Sequence, residues 1–154
     1  MGAVGAKLLF PNDTIQHAGV TVLEGSPGHP FYGDPPDAVG YWSALQVDRN
    51  YIAVTGACQM TPRALFRELG GYSEEFPLNY NDVEYCIRLH QKGYRMVSMA
   101  NVLLYHYEGV SKDGGRGVAD HEREKFLKIW NEALDRDPYY SPNLSQTENF
   151  ETPW

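Results

Sequence analysis

The chain is poor in the features that mark several protein classes. It has only two cysteines in 154 residues, Cys58 and Cys86. They sit in apolar segments without a CxxC spacing, which argues against a disulfide framework and fits two buried thiols in a reducing compartment. No uninterrupted apolar run is long enough to span a bilayer, and no secretion signal is visible. Without that signal, the sequons at Asn12-Asp13-Thr14 and Asn143-Leu144-Ser145 read as chance matches. Basic runs are missing and the net charge is −7, which argues against nucleic acid as the main partner. There is no internal repeat and no GxGxxG. The "GGRG" at 114–117 lacks the strand–turn–helix context of a dinucleotide site, and His121-Glu122 is not part of an HExxH.

Hydrophobic residues make up 42% and charged residues 21%, the balance of one globular domain able to bury a core. Aromatics reach 13%, with eleven tyrosines. A tyrosine buries a ring and keeps a polar tip, so it suits core rims, interfaces and sugar-lined clefts alike.

Lys7 to Phe10 reads as a strand, Pro11-Asn12-Asp13 as a turn, and Thr14 to Leu23 as a returning strand, together a hairpin. Glu24 to Gly40 is dense in Gly and Pro and reads as loop. Tyr51 to Met60 is β-rich, with Gly56 and Ala57 marking a close approach by a ligand or by backbone. Thr61-Pro62 reads as the cap and first position of a helix that Gly70-Gly71 stops. A second helix starts at Asp82 and ends near Gly93. Arg95–Ala100 and Val102–Tyr107 are strand-like, and Ser111–Gly117 is loop by composition. Asp120–Leu134 is a helix with Phe126, Ile129, Trp130, Ala133 and Leu134 at core spacing. The Pro-, Asn- and Ser-rich tail is expected to wrap the surface. The class is α/β or α+β.

The second helix carries the chemistry-bearing residues. Val83, Cys86, Ile87, Leu89 and His90 share one face, and Glu84, Arg88, Gln91 and Lys92 the other. Glu84 and Arg88 are an i,i+4 pair. Asn81 with Glu84 resembles a capping box. Asp82 is left over, on the side of Cys86 and Leu89. An acid in the first turn suits the helix dipole, and helix physics alone favours that structural role. The same place suits a general base facing a cleft. His106 ends a strand just before Gly109. An imidazole there can bind a metal or phosphate, or simply make one hydrogen bond half-buried. His17, His29, His90 and His121 lack ligand spacing with each other and are weaker candidates.

Taken in order, "KLLFPNDTIQHAGV", "AVTGACQMTPRALFRELGGYSEEF", "NDVEYCIRLHQKGYR", "LLYHYEGVS" and "DPYYSPNLS" resemble the C-terminal half of bacterial family 2 glycosyltransferases, closest to rhamnosyltransferase-like or O-antigen-type enzymes. The resemblance covers nearly the whole chain. It implies an α/β fold, the C-terminal portion of the GT-A fold, with a mixed sheet and flanking helices. It also implies inverting sugar transfer from a nucleotide-diphosphate donor to a glycan or lipid-linked hydroxyl. By this resemblance Asp82 is the base and Asn81 a secondary polar contact. Gly56, Ala57 and Cys58 line the acceptor side, and His106 helps hold a divalent metal, Mn²⁺ or Mg²⁺, on the diphosphate.

The family's metal-binding DxD and nucleoside-binding strands have no counterpart here. Asp135-Arg136-Asp137 is a literal DxD, but it follows a helix and leads into the "PYYSPN" segment. Met1-Gly2 runs almost directly into the apolar stretch from Val4, as a start placed inside a larger protein would. The expectation is a single domain over 1–154, the acceptor side of a larger catalytic domain and inactive alone, with a cytoplasmic location at the inner face of the membrane. Cutting a continuous sheet exposes a strand edge and an apolar face, so a second copy is expected to cover them. The competing readings are a non-catalytic carbohydrate-binding or protein-interaction module using exposed Tyr and Trp, and an unrelated metal hydrolase using Asp82 and His106.

Overall fold

A computed structural model describes residues 1–107 and 120–150, so the loop expected at Ser111–Gly117 lies outside the described residues. The fold is α/β. The central strand β1 (Ala3–Leu9) is buried along nearly its whole length. On one edge it pairs antiparallel with β2 (Ile15–His17) through Leu8 and Leu9, and with β6 (Gln59–Met60) through Val4 and Gly5. On the other edge it pairs parallel with β7 (Met96–Tyr105), whose far side meets β5 (Arg49–Tyr51) antiparallel. The sheet is therefore mixed.

The expected hairpin exists, but its second arm is short. The chain breaks at Gly19, and β3 (Thr21–Leu23) leaves the main sheet to pair with β4 (Ser26–Gly28), a strand inside the segment read as loop. Tyr51 to Met60 is not one strand either. Its two ends pair as strands, Ala53 makes a single antiparallel bridge to Val20, and Gly56–Cys58 forms a 3₁₀ turn. Gly5 makes this possible. A Cβ there would lie 2.7 Å from Val54 Cβ, so its absence lets the segment before the turn press onto β1.

The two strand-like stretches after Arg95 are one strand, β7, with an irregularity. Ala6 faces Met99 and Lys7 faces Leu103, so one step along β1 matches four along β7, and Ala100–Val102 are three extra residues. Asp48 caps this bulge by accepting the Ala100 N–H at 2.8 Å. From its last residue onward, Val102, Leu103, Leu104 and Tyr105 are each 42–51% exposed. Consecutive strand residues point to opposite faces, so neither face of this strand end is covered.

Helix α1 (Arg63–Glu68) starts one residue later than the sequence suggests, with Pro62 at the cap position. The Thr61 hydroxyl serves packing instead: it bonds the Gly2 carbonyl at 2.7 Å and the Tyr85 hydroxyl at 2.9 Å. Helix α2 (Asn81–Gln91) has Tyr80 at its cap in a left-handed conformation, φ 62°, without a side-chain cap. The capping box of Asn81 and Glu84 is thus not formed. Glu84 is also buried rather than on a solvent face, because its carboxylate takes the Arg88 guanidinium in two 2.7 Å bonds. Arg88 in turn donates to the Leu69 and Gly71 carbonyls at 2.5 and 2.7 Å. One guanidinium therefore fixes the exit of α1 against α2.

Helix α3 (Asp120–Leu134) has the expected bounds and buries Phe126 and Leu134, whereas Ile129 is exposed. The main core joins α1, α2 and α3 to the sheet through Leu65, Phe76, Cys86, Leu89, Met96 and Phe126. A smaller cluster of Leu9, Ile15, Ala18 and Leu45 sits under the Phe31–Ala38 loop. Cys86 is buried as expected, but Cys58 is half-exposed on its turn. Among the described residues no helix is long and apolar enough to cross a membrane.

Candidate functional site around Asp82

Asp82 sits in the first turn of α2, half-buried, with both carboxylate oxygens engaged. Oδ1 accepts the Val83 N–H at 2.8 Å, and Oδ2 accepts the Gly56 N–H at 2.7 Å. The sequence places these two segments 26 positions apart; the Gly5 contact and the Gly5–Gln59 pairing bring them together. Each oxygen retains a lone pair that can accept from a further hydroxyl.

The turn at Gly56–Cys58 is held locally, because the Thr55 hydroxyl accepts the Ala57 N–H at 3.3 Å. Gly56 and Ala57 are exposed and Cys58 is half-exposed. A Cβ on Gly56 would lie 3.2 Å from Asp82 Cβ and 3.6 Å from both Asp82 Oδ2 and the Tyr72 hydroxyl. Asn81, the first residue of α2, is half-exposed beside Asp82.

Two neighbours were not legible from sequence. Tyr72 donates its hydroxyl to Gln59 Oε1 at 3.0 Å. Burial, with the nearby Asp82 charge adding to it, pushes the Tyr72 phenol up to about 12. Gln59 spends its amide on the Val54 carbonyl and the Cys86 sulfur, at 3.0 and 3.3 Å. The one signal for Tyr72 is that it follows Gly70-Gly71, where the chain must turn back toward α2.

His106 lies beyond the shared C-terminal end of β1 and β7. Its backbone N–H donates to the Leu9 carbonyl at 2.9 Å, and its Nδ1 donates to Gln16 Oε1 at 2.7 Å. An imidazole held this way presents Nε2 as its lone-pair nitrogen, the usual orientation of a metal-ligating histidine. No direct contact joins His106 to Asp82. They are linked through β2, where Gln16 holds His106 and the adjacent His17 holds Thr55, next to Gly56. Among the described residues no group of three or more His, Cys, Asp or Glu is arranged to hold a metal. His106 fits as one ligand, not as a complete site.

A separate cavity of about 730 Å³ lies between α3, the β3–β4 turn and the tail, lined among others by Glu24, Asn131, Arg136 and Tyr140. Neither Asp82 nor His106 lines it. Asp137, the second acid of the literal DxD, is committed to structure there. It accepts the Val22 N–H at 3.0 Å and the Tyr139 N–H at 2.8 Å.

Over 154 aligned residues the chain is 39% identical to the O-antigen biosynthesis protein RfbC of Myxococcus xanthus, covering 96% of this chain and 12% of that protein. It is 35% identical over 158 residues to the uncharacterized protein y4gI of Sinorhizobium fredii, covering 97% of this chain and 17% of that protein. The chain thus spans less than a fifth of the length of either relative. No family model matches it. No solved structure matches it.

Proposed function

We propose that the chain is the acceptor side of a sugar-transferring site in polysaccharide biosynthesis, with Asp82 as general base. The observation that carries this is the Asp82 carboxylate, half-buried at a helix start and clamped by the N–H of an exposed glycine turn. Similarity along 96% of the chain to a protein named for O-antigen biosynthesis supports the same reading. The motif order supports a family 2, GT-A-type inverting mechanism.

An acceptor hydroxyl lies against Gly56 and Ala57, where small side chains leave room, and donates its hydrogen bond to Asp82. Its oxygen attacks the anomeric carbon from the side opposite the leaving group. As the new C–O bond forms, the bond to the donor diphosphate breaks, its electron pair leaves with the diphosphate, and the proton passes to Asp82. The two N–H donors hold the carboxylate in the orientation needed for that transfer. Asn81 is a second polar contact for the acceptor.

His106 supplies one ligand to a divalent metal, Mn²⁺ or Mg²⁺, whose role is to neutralise charge on the diphosphate. The nucleotide-sugar donor is bound chiefly by other parts of the longer protein, so the 154 residues alone are inactive. The reaction takes place in the cytoplasm, at the inner face of the membrane, on a glycan or lipid-linked acceptor. The uncovered end of β7 is where a second copy or the rest of the catalytic domain packs.

The test is transfer by the full-length protein with a panel of nucleotide sugars and either metal. Asp82→Asn keeps the shape and removes the base, and turnover should fall by about 10²-fold or more. Undiminished turnover removes Asp82 from this role.

A second reading, a non-catalytic glycan-binding module, is favoured by one observation: Trp42 is 86% exposed beside Tyr41. Glycan binding abolished by Trp42→Ala, in a protein without transfer activity, would select it.

A further inference from the structure

His17 shows no ligand spacing, yet it is buried and joins its own strand end at Gly19 to two separate segments, at His29 and Thr55. Its Nε2 faces two backbone donors, the Gly19 N–H at 3.3 Å and the Thr55 N–H at 3.2 Å. A nitrogen facing two N–H groups must be an acceptor, so in a neutral ring the proton sits on Nδ1. That Nδ1 lies 2.9 Å from His29 Nδ1, which must then be bare to accept it. The partners thus assign the tautomer of both rings. They also exclude a metal between the two Nδ1 atoms, since His17 would then need a proton on the nitrogen that already meets two donors. Burial reinforces the neutral form, holding the imidazole well below its ordinary range.

From this we infer that His17 is a positioning residue for the Asp82 site. It grips the Thr55 N–H, and the next residue, Gly56, donates to Asp82 Oδ2. Thr55 also caps the turn through its hydroxyl. With Thr55 fixed at its N–H and its hydroxyl, the Gly56 N–H has one direction, toward the carboxylate. His29 ties the same ring to the end of β4, so the short second sheet is coupled to the site through one imidazole. The inference rests on the reading of Asp82 as the functional carboxylate, but its geometry is tested without any transfer assay.

The experiment uses the 154-residue chain, ¹⁵N-labelled, with amide exchange and the Gly56 resonance as readouts. His17→Leu removes the acceptor, and His17→Gln returns one at the position of Nε2. In the Leu variant, Thr55 exchange should rise on the order of tenfold, the value of one lost hydrogen bond. Asp82→Asn should move the Gly56 amide resonance in the native background and no longer move it in the Leu background. The Gln variant should restore both behaviours, which a role in packing alone would not predict. A folded Leu variant with native Thr55 protection and an intact Gly56 response overturns the inference. If the Leu variant does not fold, the Gln variant decides: native-like Thr55 protection upholds the role, and a tenfold loss in a folded protein overturns it. Native-like coupling in the chain together with full activity of Asp82→Asn in the longer protein would remove the base and leave the positioning intact.

Discussion

The carboxylate of Asp82 accepts the Gly56 N–H at 2.7 Å, so the first turn of α2 and the 3₁₀ turn after Val54 meet at a single charged hydrogen bond. Gly56→Ala tests how tightly that meeting is fitted. The backbone at Gly56 is outside the left-handed region, so alanine is tolerated there, but its Cβ would stand 3.2 Å from Asp82 Cβ. Contact that close requires a shift of a few tenths of an ångström in the residue that carries the carboxylate, while Oδ2 itself would stay at ordinary contact distance, 3.6 Å. The variant should fold with a stability loss of about 1 kcal/mol or less, whereas transfer by the full-length protein should fall on the order of tenfold or more. Equal losses of stability and activity would show that the glycine serves packing only.

What the sequence made legible follows from periodicity. The α3 bounds, the Glu84–Arg88 pair and the burial of Cys86 and Leu89 rest on local spacing. What was hidden depends on distant partners. Thr61 has the residue type of a cap, but its hydroxyl is drawn to Gly2 and Tyr85. Asn81 looks like a cap, but the left-handed Tyr80 takes that position. His17 shows no motif, because its partners are backbone groups at Gly19 and Thr55 that carry no sequence signature.

The neutral, buried His17 predicts a pH dependence of stability. Its pKa in the folded chain is lowered by burial, and less so by His29, from the ordinary 6.5. Below about 6.5 the unfolded chain takes a proton that the folded chain refuses. Stability is therefore present above that pH and is lost as pH falls, by about 1.4 kcal/mol per unit for one proton until the folded-state pKa is reached. Denaturant unfolding between pH 7 and pH 5 should show this slope, and His17→Gln should flatten it by one proton. Parallel curves for the two proteins would disprove the assignment.

The two thiols should react at different rates. Cys58 is half-exposed on the turn beside Gly56. Cys86 is fully buried, its sulfur 3.8 Å from the Val54 carbonyl, and burial pushes its pKa up to about 12. A disulfide reagent at pH 8 should titrate one equivalent quickly, and the second only when denaturant opens the fold. Cys58→Ser should remove the fast phase. Two fast equivalents would mean that α2 opens locally.

Asp137 predicts a stability loss that has nothing to do with metal. Its two oxygens accept the Val22 and Tyr139 N–H groups, pinning the tail to β3. Burial raises its pKa despite those bonds, so the carboxylate is held by geometry at some electrostatic cost. Asp137→Ala leaves a buried N–H unpaired and should destabilise by about 1–3 kcal/mol. Asp137→Asn offers only one acceptor oxygen and should fall between. Neither change should alter the response of the full-length protein to Mn²⁺ or Mg²⁺, and a shift in metal dependence would restore the literal DxD as a site.

Tyr51 gives the opposite sign. Its ring is 1% exposed, and its hydroxyl is buried without a hydrogen-bond partner among the described residues. Burial pushes the phenol up to about 12. The ring itself is well used: Arg49 lies 4.9 Å over it, and Gly19 packs so closely that a Cβ would come within 2.3 Å of it. Tyr51→Phe keeps those contacts and removes a polar group that meets no partner, so it should be neutral or stabilising by about 1 kcal/mol. Measured unfolding curves decide the matter. A loss above about 1 kcal/mol would mean that the hydroxyl is satisfied by an ordered water.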